Sequence, residues 1–533
     1  MKRTLGTYLI EVLEAHGVRH VFGIPGVHNL ELYRGLAASK IRHVAARHEQ
    51  GLGFMADGYA RVSGRPGVCF TITGPGLTNI VTAMGQAYGD SIPLVVIASE
   101  NRRGEFGSGR GFLHEMPDQL GVAARVAGLT RRITAPEQLP EALDLALNGT
   151  VAGRPRPAYI EIPRDVIAED ASALPAPSPP RARKKPAAES GAVAQAARRL
   201  AEARAPLILA GGGALGAAAE LRRLAEALGA PLVMTINARG VLPPGHPLAV
   251  PFSPSLEAVR ALVASSDTVL AVGTELGPTD YDMYSVSDFP QPPHLIRIDI
   301  DAAQLKRNAR PEIGLLGDAH ATLAALLAHD LGAARPAAGA GRAATARTTA
   351  LGALSPAMRR ELEFLDTIRD TLPQAILVGD STQPVYAGNL GFAAQTPGSW
   401  FNSATGYGTL GYALPASTGA GLAAPERPVV CLSGDGGIQF SLGELAVPRD
   451  VDAWSALVVW NNHGYGEIKS SMVAVGIEPE GVDVQPPDFA ALARAYGYAH
   501  RAVDSLPTLE AALSDFGSRR QVVVIEVRAG AFE

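Results

Sequence analysis

The sequence predicts an α/β protein built as three open, parallel-sheet domains. Three observations carry that expectation. The chain has 533 residues, enough for about three domains at roughly 100–200 residues each. Short apolar runs alternate with longer stretches of helical periodicity, the pattern of βαβ units and parallel sheets. Two stretches interrupt the alternation: 171–189, ASALPAPSPPRARKKPAAE, rich in Pro and charge, and 333–355, AARPAAGAGRAATARTTALGALS, nearly without large apolar residues. Both read as linkers. They delimit a first domain at 1–170, a central domain at 190–332 and a third domain at 356–533.

The N-terminus, MKRTLGTYLIEVLEAHGV, mixes charges among its apolar positions and reads as an amphipathic helix, not a signal peptide. Strands of the first domain are expected at HVFGI (20–24), RHVAA (42–46), VCFTI (68–72), LVVIA (94–98) and AYIEIP (158–163). The central domain offers PLILAG, PLVMTI, TVLAVG and LIRIDID, and the third AILVGD, VVCLSGD, SALVVWN and VVVIEV. Continuous apolar runs of this kind suit strands covered on both faces. Ligands on such sheets gather at the C-terminal strand ends.

Composition narrows the function classes. Apolar residues make up 47% and charged residues 19%, which excludes global disorder. A net charge of −5 gives no drive toward nucleic acid or an anionic membrane. The longest apolar runs, such as IPLVVIA at 92–98, fall far short of the ~20 residues a membrane span needs. Cys69 and Cys431 both lie in apolar runs, which suits buried small hydrophobes and excludes a disulfide framework or a cysteine-rich metal site. A soluble, cytoplasmic, multidomain protein is expected.

The chemistry concentrates in the third domain. VVCLSGDGG closes an apolar strand and leads into the helical stretch IQFSLGELAV. Gly434, Gly436 and Gly437 permit a tight turn that leaves N–H groups open at a helix start, an arrangement suited to phosphate oxygens. Asp435 stands at that strand end. The strand SALVVW then ends in Asn461 and Asn462. A carboxylate and an amide oxygen on adjacent strand ends are hard ligands, and with a backbone carbonyl and phosphate oxygens they complete an octahedral Mg²⁺ site. Two ordinary βα turns, with Gly and Asn as turn formers, are the bland alternative.

This GDG…NN element resembles the diphosphate and Mg²⁺ motif of the thiamine diphosphate enzymes of the acetolactate synthase, pyruvate oxidase and 2-oxo acid decarboxylase superfamily. The resemblance covers nearly the whole chain and implies, in order, a pyrimidine-binding, a central and a diphosphate-binding domain. It implies that Asp435 and Asn462 hold Mg²⁺ by side chain and Gly464 by its carbonyl. FGIPG (22–26), RHEQGLGFMADGYAR (47–61) and TGPGLTN (73–79) are similar to pyrimidine-domain elements, placing Pro25, Glu49 and Asn79 at the cofactor. By that resemblance Glu49 contacts N1′ of the aminopyrimidine. Protonation there favours the 4′-imino tautomer, which removes the thiazolium C2 proton. TGYGTLGYALPASTGA (405–420) resembles the segment that bends the cofactor. Gly408 would accept from the 4′-amino group through its carbonyl, and Leu410 would wedge between the two rings. Thr382 and Gln383, in Asp380-Ser381-Thr382-Gln383, fall where relatives contact the diphosphate. The Gly-rich GGGAL (211–215) lacks a clean dinucleotide fingerprint; some members of the resembled family bind FAD at this place and many bind nothing, and no nucleotide is expected in the central domain.

Substrate residues are read from the same resemblance. The pyruvate decarboxylase set is incomplete: Val27 and His28 follow the FGIPG turn, and the second region has one histidine, His114, where a pair is usual. His28 and His114 are the candidate proton carriers. GIPGVHNLELYRGL, RHEQGLGFMADGYARVSG and GRGFLHEMPDQ look closest to the branch that decarboxylates 5-guanidino-2-oxopentanoate to 4-guanidinobutanal. Glu115, Asp118 and Glu467 offer negative charge for a guanidinium. Two other readings stand beside this one: an acetolactate synthase-like carboligase and a catalytically silent cofactor-binding homologue. The family architecture implies a homodimer or homotetramer, with Glu49 and Asp435 of one site on different chains.

Overall fold

The computed structural model describes residues 3–149, 152–180, 183–281, 289–332 and 336–532. Among these residues the chain forms three six-stranded sheets, each inside one of the three segments. The first holds β1 (His20–Gly23), β2 (Arg42–Ala45), β3 (Gly67–Thr71), β4 (Leu94–Glu100), β5 (Leu129–Arg132) and β6 (Ala158–Pro163), in the order β2-β1-β3-β4-β6-β5. The central sheet holds β7 (Pro206–Ala210), β8 (Leu232–Met234), β9 (Ala249–Val250), β10 (Thr268–Val272), β11 (His294–Asp299) and β12 (Ile313–Leu316), ordered β12-β11-β10-β7-β8-β9. The third holds β13 (Ile376–Gly379), β14 (Trp400–Asn402), β15 (Val429–Gly434), β16 (Ser455–Asn461), β17 (Ala499–Val503) and β18 (Val523–Arg528), ordered β14-β13-β15-β16-β18-β17. The strand pairings in all three are parallel.

The first and third sheets thus have one topology, with a switch point between β1 and β3 in one and between β13 and β15 in the other. Crevices for ligands open at such points. The sequence reading finds every interior strand and misses β5, β9, β12, β14 and β17. All five are edge strands. Strands covered on both faces read as continuous apolar runs, whereas an edge such as LTRR in β5 keeps polar residues facing water.

The stretch read as a second linker, 333–355, is helical over most of its described residues. Residues Pro336–Ala353 form an 18-residue helix. Gly339, Ala343, Ala346 and Ala350 bury its inner stripe. A Cβ at Gly339 would lie 1.7 Å from the Gly229 carbonyl oxygen, so the helix approaches backbone to backbone. Arg342 and Arg347 tie it to the carbonyls of Pro206, Pro247 and Ala249. The first linker, by contrast, is irregular over its described residues. The N-terminal helix spans Leu5–Ala15, with Thr4 capping it by accepting from the Thr7 N–H. Among the described residues no helix is long and apolar enough to cross a membrane. Cys69 and Cys431 are both buried and free.

The first and third domains share an apolar core that runs from Phe22, Phe54 and Met55 to Leu414, Ala416 and Ile438. Its seam is the pair of helices Glu49–Ser63 and Ala413–Ala423. A Cβ at Gly58 would lie 2.0 Å from the Ala416 oxygen, and one at Gly419 1.8 Å from the Met55 oxygen. Glycine at both positions lets two backbones from different domains touch. That contact fixes where the segment 405–412, which leads into the second helix, stands against the first domain.

Candidate active site

The predicted residues fall into two groups, each at the switch point of its sheet. On the first sheet, the turn after β1 is held by Asn29: its Oδ1 accepts from Gly26 N at 2.7 Å, and its Nδ2 donates to the Ile24 carbonyl at 3.0 Å. Pro25 is exposed at the tip of this turn. Glu49 opens the helix Glu49–Ser63, and Asn79, on the helix Pro75–Asp90, donates to its Oε2 at 3.0 Å. Beside it the Tyr33 hydroxyl is buried without a partner and is pushed above its ordinary pKa by burial and then by the Glu49 charge.

His28 and His114 come from different loops and meet edge to face, with ring centroids 5.0 Å apart. His28 is 4% exposed and its Nδ1 has no partner. Burial, reinforced by the charges of Arg164 and His114, lowers its pKa to about 4, so the ring is neutral near pH 7. His114 sits at φ +61°, and its carbonyl lies where a Cβ on Gly74 would collide.

On the third sheet, β15 and β16 pair in register with Gly434 opposite Trp460, which sets the GDG and NN ends side by side. Asp435 is fully buried, and its pKa is raised by that burial against the pull of backbone N–H donors that include Asn462 and Gly464. Its Oδ1 accepts from the Asn462 N–H at 3.2 Å, while its Oδ2 has no partner. One edge of the Asn462 carboxamide faces Gln383 Oε1 at 3.0 Å; the other faces Asp435 Oδ1 at 3.0 Å and the Gly464 carbonyl at 2.8 Å. With the amide nitrogen on Gln383, three oxygens converge with no hydrogen between them. Hydrogen bonding alone would turn that amide around. A hard divalent cation would hold it as it is, because neighbouring ligands of an octahedral Mg²⁺ at about 2.0–2.1 Å stand about 2.9 Å apart. The donor set and the unpaired Asp435 Oδ2 therefore fit the metal.

The glycines beside this cluster keep the turn open. A Cβ at Gly436 would lie 2.6 Å from the Tyr465 ring. Thr382 is the N-cap position of the helix Gln383–Gly391, and its Oγ1 lies 3.1 Å from where a Cβ on Gly434 would stand. Gln383 Oε1 also accepts from Trp460 Nε1 at 3.0 Å. Asp380 is the buried hub below: it accepts from Ser381 N and Gly411 N at 2.9 Å and from Ser433 Oγ at 3.3 Å. Burial pushes its pKa up to about 6. Gly408 sits at φ +71° with its N–H on the Ser403 carbonyl at 3.1 Å, and Leu410 is half-buried beside Gly437.

Among the described residues, no hydrogen bond or ion pair joins Glu49, Asn79, His28 or His114 to the Asp435–Asn462 group. What links the two domains near the site is polar side chains that the sequence reading misses. Glu444, 2% exposed, accepts from Arg47 N at 3.1 Å and His48 N at 2.9 Å, and so holds the entry to the Glu49 helix from the third domain. A Cβ at Gly51 would lie 2.2 Å from its Oε1. Deeper in the seam, Arg61 bridges Asp57 and Asp90 at 2.6 Å each, and Tyr412 donates to Asp57. The acidic residue in GELAV and the DGYAR run were the available signals, but neither says which distant residue it meets.

Two of the proposed guanidinium partners are committed elsewhere. Glu115 accepts from Ser108 Oγ, Gly109 N, Gly111 N and Phe112 N, so it folds its own loop. Asp118 caps the helix Gln119–Ala123 by accepting from Gly121 N at 2.9 Å. Glu467 is exposed in the first turn of the helix Gly466–Ala474, with no hydrogen-bond or ion-pair partner among the described residues.

Comparison with known proteins matches three family profiles in chain order: thiamine pyrophosphate enzyme, N-terminal TPP binding domain, over residues 3–122; central domain, over 193–326; and C-terminal TPP binding domain, over 380–527. The chain is 46% identical over 532 residues to the "Probable 2-ketoarginine decarboxylase AruI" of Pseudomonas aeruginosa, covering 98% of this chain and 94% of that relative. It is 31% identical to the acetolactate synthase isozyme 1 large subunit of Escherichia coli, over 87% of this chain and 83% of the relative. It is also 31% identical to a probable acetolactate synthase large subunit of Methanocaldococcus jannaschii, over 92% and 85%.

Proposed function

The chain belongs to the thiamine pyrophosphate enzyme family and is a thiamine diphosphate-dependent 2-oxo acid decarboxylase; from that premise we propose that its substrate is 5-guanidino-2-oxopentanoate, or 2-ketoarginine, released as 4-guanidinobutanal and CO₂. The observation that carries the substrate is the 46% identity to a relative named for that activity, against 30–34% to acetolactate synthases. When bound, the cofactor supplies an electron sink that lets the carboxylate leave as CO₂.

The chain's own residues divide the remaining work. Asp435, Asn462 and the Gly464 carbonyl hold Mg²⁺, and the N–H groups of the Gly434–Gly437 turn, with Thr382 and Gln383, take the diphosphate. Glu49, held by Asn79, would be the proton-exchanging carboxyl toward the pyrimidine. Gly408 and Leu410 would position the bound cofactor. His28 and His114 stand as the candidate proton relay for the product carbon; with its lowered pKa His28 is neutral there and would pass a proton along hydrogen bonds, not hold one. Glu467 is the free carboxylate left to face a guanidinium. We also propose that the working unit is at least a homodimer. Each half-site is rimmed by apolar side chains more than half exposed: Val27, Leu30 and Leu113 on one, Tyr407, Phe440 and Ile468 on the other. Pairing one half with its complement on a second copy would cover both rims.

The test is a panel of 2-oxo acids supplied with thiamine diphosphate and Mg²⁺, following CO₂ and identifying the organic product. The guanidino acid should be turned over best and give the aldehyde. Faster turnover of pyruvate or another aliphatic 2-oxo acid would reject the cationic substrate. An acyloin or 2-hydroxy-3-oxo acid as product, with CO₂ still released, would mean that a second carbonyl and not a proton captures the decarboxylated donor, the carboligase reading that the acetolactate synthase relatives favour.

A further inference from the structure

We propose that Gln86, a buried residue of the first domain, is a positioning residue that aims the Gly408 carbonyl at the cofactor's 4′-amino group. The inference rests on the reading of Gly408 as the acceptor for that group. Gln86 lies on the helix Pro75–Asp90, more than three hundred residues from Gly408 in sequence, and is fully buried. Its Oε1 accepts twice from Thr409, the residue between Gly408 and Leu410: from the backbone N–H at 3.3 Å and from Oγ1 at 3.0 Å. The Thr409 N–H and the Gly408 carbonyl belong to one peptide plane. In a trans peptide they point in opposite directions. An acceptor that anchors the N–H therefore sets the direction of the carbonyl on the far side. It also polarises that carbonyl, making it a better acceptor.

The anchor itself is rigid. Gln86 Nε2 donates to the Thr405 carbonyl at 3.2 Å and to Asp90 Oδ2 at 2.9 Å. Asp90 Oδ2 also accepts from Thr405 Oγ1 at 2.9 Å and from Arg61 at 2.6 Å. These bonds leave the amide one orientation, with its oxygen toward Thr409. On the other side of Leu410, Asp380 accepts from Gly411 N at 2.9 Å. On its other side the Gly408–Thr409 peptide is held only through Gly408, whose N–H bonds the Ser403 carbonyl at 3.1 Å; exposed at φ +71° and without a side chain, Gly408 does not by itself fix the direction of its carbonyl.

The experiment is a binding cycle on the full-length protein. Gln86→Met keeps the volume and removes the acceptor. Kd is measured by calorimetry, with Mg²⁺ present, for thiamine diphosphate and for its analogue lacking the 4′-amino group. The wild type should prefer thiamine diphosphate, and Gln86→Met should weaken it by about 3- to 10-fold, the worth of one neutral hydrogen bond, while leaving the analogue's Kd unchanged. Gln86→Asn, which retracts the acceptor by one methylene, should give the same selective loss and serves if the Met variant does not fold. In cofactor-saturated variants H/D exchange at C2 should slow, with the KM for the oxo acid unchanged. An equal loss for both ligands would mark a merely structural role and overturn the proposal. A wild type that does not distinguish the two ligands would overturn the Gly408 assignment, and this inference with it.

Discussion

Glu444→Gln should flatten the pH dependence of stability. The wild-type carboxyl is buried under the entry to the Glu49 helix, and burial pushes its pKa up to about 7 from an ordinary 4.5, against the pull of the Arg47 and His48 N–H groups. A carboxyl whose folded pKa stands above its unfolded one binds more protons when folded. Its favourable contribution is complete below pH 4.5 and is lost as pH rises through about 7. At about 1.4 kcal/mol per pH unit the whole term is about 3 kcal/mol, of which about 2.5 kcal/mol is lost between pH 5 and pH 8. Glutamine cannot titrate, so the variant should gain that amount on the wild type over the same interval. With about 2–4 °C per kcal/mol for a domain of this size, the difference in Tm should close by about 5–10 °C. Thermal melts of both proteins at pH 5 and pH 8, at one saturating concentration of thiamine diphosphate and Mg²⁺, measure it. Parallel pH curves would mean that the N–H donors keep the carboxylate charged throughout and that Glu444 does not titrate on folding.

The other expectations are briefer. Asp435→Ala should weaken Mg²⁺-dependent cofactor binding by more than 100-fold, since loss of a mere second-sphere partner already costs about 10–100-fold; calorimetric titration reads it. Glu49→Gln and Asp435→Ala chains, each inactive alone, should regain activity on mixing and subunit exchange, because one intact half-site pair is rebuilt; an active monomer by sedimentation would end that reading. Glu467→Gln should cost about 10- to 150-fold in kcat/KM for the guanidino acid and little for an uncharged 2-oxo acid of similar length, as expected for one charge-assisted contact. Arg61→Leu should destabilise the fold by about 3–5 kcal/mol, because Asp57 and Asp90 would keep their buried charges without a cation; denaturant unfolding measures it.

The parts legible in the sequence are those whose physics is local. Interior parallel strands announce themselves as unbroken apolar runs, and a Gly-Asp-Gly or Asn-Asn step at a strand end needs only its own turn chemistry to present a carboxylate and an amide. Register then did the rest, since β15 and β16 pair so that the two ends meet. The helix at 336–353 escaped the reading because its buried stripe is made of Gly and Ala, whose burial depends on a neighbour's backbone being close enough to fill the space. Five of the six edge strands escaped: β5, β12 and β17 because part of each faces water, and β9 and β14 because two or three residues are too few to make a run. Which distant polar groups meet is set by tertiary packing: His28 with His114, Glu444 with the Arg47–His48 backbone, Gln86 with Thr409, Asp57 with Tyr412. It also decided that Glu115 and Asp118 serve their own loop and helix. Such pairings have no period and no spacing rule. They follow from the packing of one domain on another, and a buried polar group takes whichever partner that packing brings within reach.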